Sequence, residues 1–569
     1  MLGTVGSSRE EADVRRIALV VFIVAGAAAI ALFAGCGVRL SSEVTPTPSS
    51  TPAATPKPSP SATAALPTPS ATPSVDPTAL AAAVRRVNAA AAVKRVLPRF
   101  DELAGQMVAS SGVPGAAVAI VAGDAAVYVR CFGVREVGRP ERIDKDSLFQ
   151  LGAVSKGFTS TMLAALVGEG EVGWDQPVVR AWPEFRLWDP WVSRHVSYRD
   201  LTAERSGLPA AAGAELVAFG YDRAEILARL RYLSPVADFR TAYAPQAAAY
   251  TVAAAAAERA TGTSWAELVR SRILTPLDMR STALTYRQYV RSVDHATPHV
   301  VTDGAMQAQM PPDLSVFAPS SGVSSSIAEL VPYVRLHLDG GALGGIRVAA
   351  AQALAATHAP TAIVGTQDAA PVASALGWET TGYDGRLVVR QSGALAAGSG
   401  ALVSLVPEDG VGIVVLANAF PEGQALARAL TRSLLDLYTH GVPREDWYAV
   451  ERSKLAAEQE EAAGDLPRAL PSQAPFDAAP PRARSVYRGV YRNRYYGQVT
   501  VESAAGTALN VRLGKGEVLR YAPWSGDTWR EIDSGTAAVF SVKAGRAVSV
   551  HVGLLAFDGR NGTFVRVPQ

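Results

Sequence analysis

Hydrophobic positions change rhythm several times along this chain, and each change marks a boundary. An uncharged apolar run from Ile17 to Ala34 follows Arg15-Arg16. At 1.5 Å per residue it is roughly 27 Å long, enough to span a bilayer. From Val44 to Pro77 periodicity disappears, and ten prolines stand among Ser, Thr and Ala with almost no charge. Such a stretch builds no core and reads as an extended spacer. Ala116–Val121 and Ala125–Cys131 then alternate about Gly123-Asp124, which predicts a β-hairpin. Ala153–Val167 predicts an apolar helix, with further helices at Tyr250–Ala260 and Trp265–Ile273. Strands follow at Arg386–Gln391, Ala401–Val406 and Val411–Ala417, and a closing helix at 423–438.

Beyond Gly441 the pattern becomes charged and helix-prone over Arg444–Ala463, then Pro/Ala-rich to about Arg484. Tyr487 to Val567 consists of short alternating segments between Gly-bearing turns, including Gln498–Glu502, Ala508–Leu513 and Ala537–Val542. The resulting layout is an anchor or lipoprotein signal (1–36), a Pro/Ser/Thr-rich linker (37–79), an α/β (α+β) domain with an antiparallel sheet flanked by helices (80–440), a connector (441–485) and a small all-β, barrel-like domain (486–569). The aromatic residues of that last domain read as its core rather than a ligand cup.

Composition narrows the function classes. A chain of 569 residues with 48% hydrophobic content supports two folded domains after the tether is removed. The net charge of +2 and the absence of a basic stripe argue against nucleic acid. The two cysteines, Cys36 and Cys131, exclude a disulfide framework. Cys131 reads as a small core residue, and Leu32 to Cys36 as a lipoprotein cleavage box that would acylate Cys36. A signal or anchor places the remainder outside the cytoplasm, tethered to a membrane. His295 and His299 have helical i, i+4 spacing but no third ligand, so neither a metal nor another cofactor is expected.

Chemistry concentrates in Ala153-Val154-Ser155-Lys156, flanked by Phe149-Gln150-Leu151-Gly152 and Gly157-Phe158-Thr159-Ser160. Positions i and i+3 share a helix face, so a serine at 153 would place its hydroxyl beside the Lys156 amine. Ser155 lies about 200° round the helix from Ala153 and points away. Other stretches carry the context: Gly112-Val113-Pro114-Gly115, Gly173-Trp174-Asp175, Val196-Ser197-Tyr198-Arg199-Asp200-Leu201 with Arg205-Ser206-Gly207-Leu208-Pro209, Thr261-Gly262-Thr263-Ser264-Trp265 and Pro276-Leu277-Asp278-Met279. In order and spacing they resemble the serine β-lactamase and penicillin-binding-protein family, in its class C-like branch. The third stretch is similar to that family's word RDLLTHRSGLP. The C-terminal segment resembles the small β-domain that often follows this branch.

The resemblance implies an antiparallel sheet with flanking helices and a serine acting with Lys and Tyr at an oxyanion site. Three motif positions depart from it. The Ser-x-x-Lys nucleophile is Ala153, with Lys156 retained. Tyr-x-Asn aligns with Pro245-Gln246-Ala247, and Lys/His-Thr/Ser-Gly with Gln391-Ser392-Gly393. Tyr243 would reach the vacated Tyr position only with a shift of two residues. Ser392, Gly393 and Gln246 remain candidate ligand contacts, and Ala153 keeps its N–H for an oxyanion. The expectation is a pseudoenzyme that binds a small molecule or peptide: a peptidoglycan-derived peptide, a β-lactam-like amide or a small ester. An active hydrolase with a rearranged nucleophile and a scaffold with a filled pocket are the alternatives.

Overall fold

The computed structural model describes residues 77–464, 467–557 and 560–568. The expected anchor or lipoprotein signal, Cys36 and the expected linker up to residue 76 lie outside the described residues. Among those described, no helix is long and apolar enough to cross a membrane.

A 35-residue helix, α1 (Pro77–Ser111), opens the described chain. Its first residue needs no backbone N–H, which suits proline. The described helix includes residues 77–79, which the expected layout gave to the linker. The hairpin follows as β1 (Gly115–Ala122) and β2 (Ala125–Gly133). The apolar segment after it becomes a 3₁₀ turn (Gly152–Val154) running into α2 (Ser155–Glu169). The alanine-rich stretch is α3 (Ala247–Thr261), and α4 is Ile327–Leu338. Trp265–Ile273 resolves into a short α-helix (Trp265–Val269) and a π turn (Arg270–Leu274).

The sheet is completed by β3 (Ala362–Gln367), β4 (Ala370–Ser374), β5 (Glu379–Tyr383), β6 (Arg386–Leu395), β7 (Ser399–Val406) and β8 (Val411–Ala417). Its order is β2-β1-β8-β7-β6-β5-β4-β3, and the pairs along it are antiparallel. All eight residues of β1 are buried. Ala117, Ala119 and Val121 join the core around α2 and α3, whereas Ala116, Val118 and Ile120 join the core under α1 and α5 (Glu422–His440). Burial on both faces explains why β1 reads as a nearly continuous apolar run. The connector forms α6 (Trp447–Gly464) against α5.

The C-terminal segment closes into an eight-stranded barrel: β9 (Gly489–Asn493), β10 (Gly497–Ser503), β11 (Leu509–Leu513), β12 (Val518–Ser525), β13 (Thr528–Glu531), β14 (Ala537–Lys543), β15 (Arg546–Val552) and β16 (Thr563–Arg566). Tyr487 packs against Trp529 and Phe540, with ring centroids 5.3 and 4.8 Å apart. The barrel is pinned to the first domain by a buried pair, Arg560 Nε to Glu215 Oε1 at 2.9 Å, with side-chain exposures of 0% and 1%. Tyr495 also donates to Glu215 at 2.6 Å and accepts from Gly213 N at 3.0 Å. From there backbone bonds run inward, Ala211 N to Pro245 O and Ala244 N to Glu204 O, reaching the wall of the cavity described next.

Candidate active site

Ala153 sits in the 3₁₀ turn and Lys156 in the first turn of α2, so the start of this helix presents both to one cavity. The edge of β6 crosses the same helix start. A Cβ on Gly393 would lie 2.0 Å from Leu151 O and 3.1 Å from Ala153 N, so only glycine permits the approach. Gly393 therefore sets the distance between strand and helix rather than offering a ligand contact. Ala153, Lys156, Gln391 and Ser392 line the cavity together with Glu204, Tyr243, Tyr250, Ser374, Trp378, Glu379 and Arg390. It encloses about 40 Å³ that water can occupy.

The centre of this space is an ion pair absent from the sequence reading. Lys156 Nζ donates to both carboxylate oxygens of Glu204, at 2.7 and 2.9 Å. The two side chains are 14% and 5% exposed. Glu204 Oε1 also accepts from Gln246 N at 2.5 Å. Glu204 holds a left-handed backbone, φ +56°, a conformation uncommon for a residue with a Cβ and one that collects at specialised sites. One signal was available: where the family word RDLLTHRSGLP carries histidine, this chain has Glu204.

The Lys156 ammonium also lies 5.3 Å from the centre of the Tyr250 ring, within cation–π range. Tyr250 donates to Thr202 O. Burial, and then the Glu204 charge, push both Tyr243 and Tyr250 phenols well above their ordinary range. Neither is a phenolate at neutral pH, so neither supplies a base. Tyr243 nevertheless lines the cavity beside Glu204, reaching it without occupying the aligned motif position.

The remaining sequence candidates fall outside the cavity or are already engaged. Pro245 is buried, and its carbonyl accepts from Ala211 N. Ala247 opens α3. Gln246 was expected as a ligand contact, yet it is fully buried and engaged: its Oε1 accepts from Ser206 at 2.9 Å and its Nε2 donates to Leu208 O at 2.6 Å. Ser392 accepts from Gln424 Nε2 at 2.5 Å. Gln391 lays its amide across α2, where a Cβ on Gly157 would meet Nε2 at 1.5 Å. Ser155 points away from Lys156, is fully buried and accepts from Val323 N at 3.0 Å. His299 lies in a short strand, so the helical spacing with His295 does not form. Among the described residues, no cluster of His, Cys, Asp and Glu could hold a metal ion.

A second pair stands on the opposite wall, Arg390 to Glu379 at 3.1 Å, with Arg390 Nη1 donating to Gln367 at 2.6 Å. The four charged residues lining the cavity thus cancel. Chemically this is a small neutral pocket with a backbone-lined corner at Ala153 and no hydroxyl over the lysine.

Comparison with known proteins agrees with the fold. A family model described as Beta-lactamase matches residues 100–437. The chain is 25% identical over 421 residues to the unguisins hydrolase ungD' of Aspergillus campestris, covering 71% of this chain and 77% of that protein. It is 28% identical over 332 residues to penicillin-binding protein 4 of Amycolatopsis lactamdurans, covering 56% and 84%. The octameric penicillin-binding protein homologue from Pyrococcus abyssi superposes with a TM-score of 0.54 at 18% identity, over 83% of this chain and all of that one.

Proposed function

The chain belongs to the beta-lactamase family of serine hydrolases, and from that premise we propose that it is a non-hydrolytic, ligand-binding member held outside the cytoplasm by its N-terminus. The observation that carries this reading is the Lys156–Glu204 pair beside Ala153. Where the family's chemistry needs a hydroxyl to give its proton to that amine, this site offers a methyl group, and a carboxylate takes the amine's donors. Loss of a nucleophile of this kind costs on the order of 10⁴ to 10⁶ in rate, and the surviving members add little because they act as a unit. The ligand class follows from the relatives' names and the carbonyl-facing corner: a peptidoglycan-derived peptide, a β-lactam-like amide or a small ester. Arg15-Arg16, the apolar run and Cys36 support the tether, and the Pro-rich stretch supports reach away from the lipid.

A scaffold whose pocket is filled is the second reading, favoured by the volume the ion pair occupies. Turnover of p-nitrophenyl esters by the full chain, measured against a Lys156→Ala variant, tests the proposal. Equal rates are expected; a rate abolished by the substitution restores the hydrolase.

A further inference from the structure

Two tryptophans stand half in water on a turn that is locked in place. Trp188 is 52% exposed and Trp191 51%, and they flank Asp189-Pro190 at the start of a short helix, Pro190–His195. Asp189 Oδ1 accepts from Trp191 N at 2.6 Å and from Val192 N at 3.0 Å. The buried Ser193 hydroxyl accepts from Leu187 N at 2.8 Å and donates to Asp189 O at 2.7 Å, which closes the turn around Trp188. His195 stacks on Trp191 with ring centroids 4.0 Å apart, and Phe239 meets it at 74° and 6.1 Å. Arg240, bidentate on Asp200 at 2.8 Å, lies 4.6 Å over the Phe239 ring. Half of each indole is thus held rigid and open, so a partner that covers it meets little ordering cost.

The Phe239 segment joins this turn to the cavity. Tyr243, four residues on, lines the cavity, and Arg240 N and Ala244 N bond to Arg205 O and Glu204 O. At about 3.5 Å per residue, Phe239 and Tyr243 are at most about 14 Å apart. The cavity encloses about 40 Å³, far below the roughly 300–1,000 Å³ that holds a whole small molecule. Most of any ligand therefore lies outside it, on the neighbouring surface. We infer that Trp188 and Trp191 form a shelf beside the cavity for a flat, uncharged ring of the ligand, either a sugar ring through its C–H face or an arene. Charge agrees, because Asp189 is engaged as a helix cap and Arg240 is paired with Asp200. His195 Nδ1 donates to Trp191 O at 2.7 Å, which makes Nε2 of the neutral ring an acceptor for a hydroxyl or N–H at the rim. This deepens the binding role proposed above and rests on it.

Ligand-observed saturation-transfer NMR on the full chain tests the inference with two probes, the N-acetylglucosamine trimer and acetyl-phenylalanine amide. Saturable binding of at least one is expected, with a Kd on the order of 1 mM, and the probe that binds identifies the ring. Trp188→Ala and Trp191→Ala should each weaken that probe about tenfold. Phe476→Ala, which removes an exposed ring from the connector, should leave it unchanged. Circular dichroism confirms that each variant is folded, and Trp188→Ala, which lies outside the short helix, decides alone if Trp191→Ala is not. No saturable binding of either probe, or folded Trp188 and Trp191 variants that bind like the parent, would overturn the shelf. A covalent adduct with a penicillin would overturn the non-hydrolytic reading beneath it. Missing probe binding without an adduct defeats the shelf alone.

Discussion

Replacing Glu204 by glutamine removes the charge that faces Lys156 while keeping the side chain's shape. The native carboxylate receives two bonds from Nζ and one from Gln246 N. Breaking one partner of a fully buried pair costs about 3–5 kcal/mol. Lys156 keeps 14% exposure, so its ammonium regains some water and about 2–3 kcal/mol is expected. Lys156→Met combined with Glu204→Gln removes both charges. That double variant should lie within about 1 kcal/mol of the parent, more stable than Glu204→Gln alone. Because Glu204 sits at φ +56°, Glu204→Gly should be less damaging than Glu204→Ala by about 1 kcal/mol. Urea unfolding followed by tryptophan fluorescence measures these proteins and the Lys156→Met single variant, six in all. A glutamine variant within about 0.5 kcal/mol of the parent, or a double variant as unstable as the two singles added, would refute the view that this pair organises the cavity.

Three further outcomes follow. Ala153→Ser alone should not acquire penicillin labelling, because Lys156 stays engaged by Glu204 and Pro245 offers no phenol; mass spectrometry of the labelled variant decides. Arg560→Ala should destabilise the chain by about 3–5 kcal/mol, since Glu215 is left charged and buried under the barrel; differential scanning calorimetry with limited proteolysis would reveal a barrel that undocks, and an unchanged profile would count against the clamp. Behind the pocket, His337 Nδ1 and His358 Nε2 lie 3.0 Å apart, and burial holds His358 at about 4 and His337 well below its usual 6.5. Both are neutral when folded while the unfolded chain takes up protons, so their contribution is complete above pH 6.5 and is lost as pH falls towards 4, by about 3 kcal/mol for His358 alone; a urea midpoint that is flat from pH 7 to 4.5 would contradict this.

The sequence pattern anticipated the elements written as apolar runs or clear alternation: the β1–β2 hairpin, α2, β6 to β8 and the barrel strands. It missed α1, where the alanine-rich first turns are exposed and carry no clear apolar stripe to separate them from the Pro-rich stretch before them. Strands β3 and β4 escaped notice because half-exposed residues and Gly365 blur their alternation. Within the site, the departure from Ser-x-x-Lys at Ala153 was legible from one residue. Glu204 was not, because a carboxylate in an irregular segment has no periodicity, and its role depends on a left-handed turn that delivers it to Lys156 from 48 positions away. The same limit applied to Gln246, which looked like a pocket residue by alignment but turns its amide to Ser206 and Leu208.

The central claim is that no oxygen nucleophile stands over Lys156. Intact-mass and peptide-level mass spectrometry of the full chain after exposure to a penicillin and to a fluorophosphonate tests it most directly. The account predicts unmodified protein at every time point; an acyl or phosphonyl adduct on any serine, threonine or tyrosine of the cavity would contradict it.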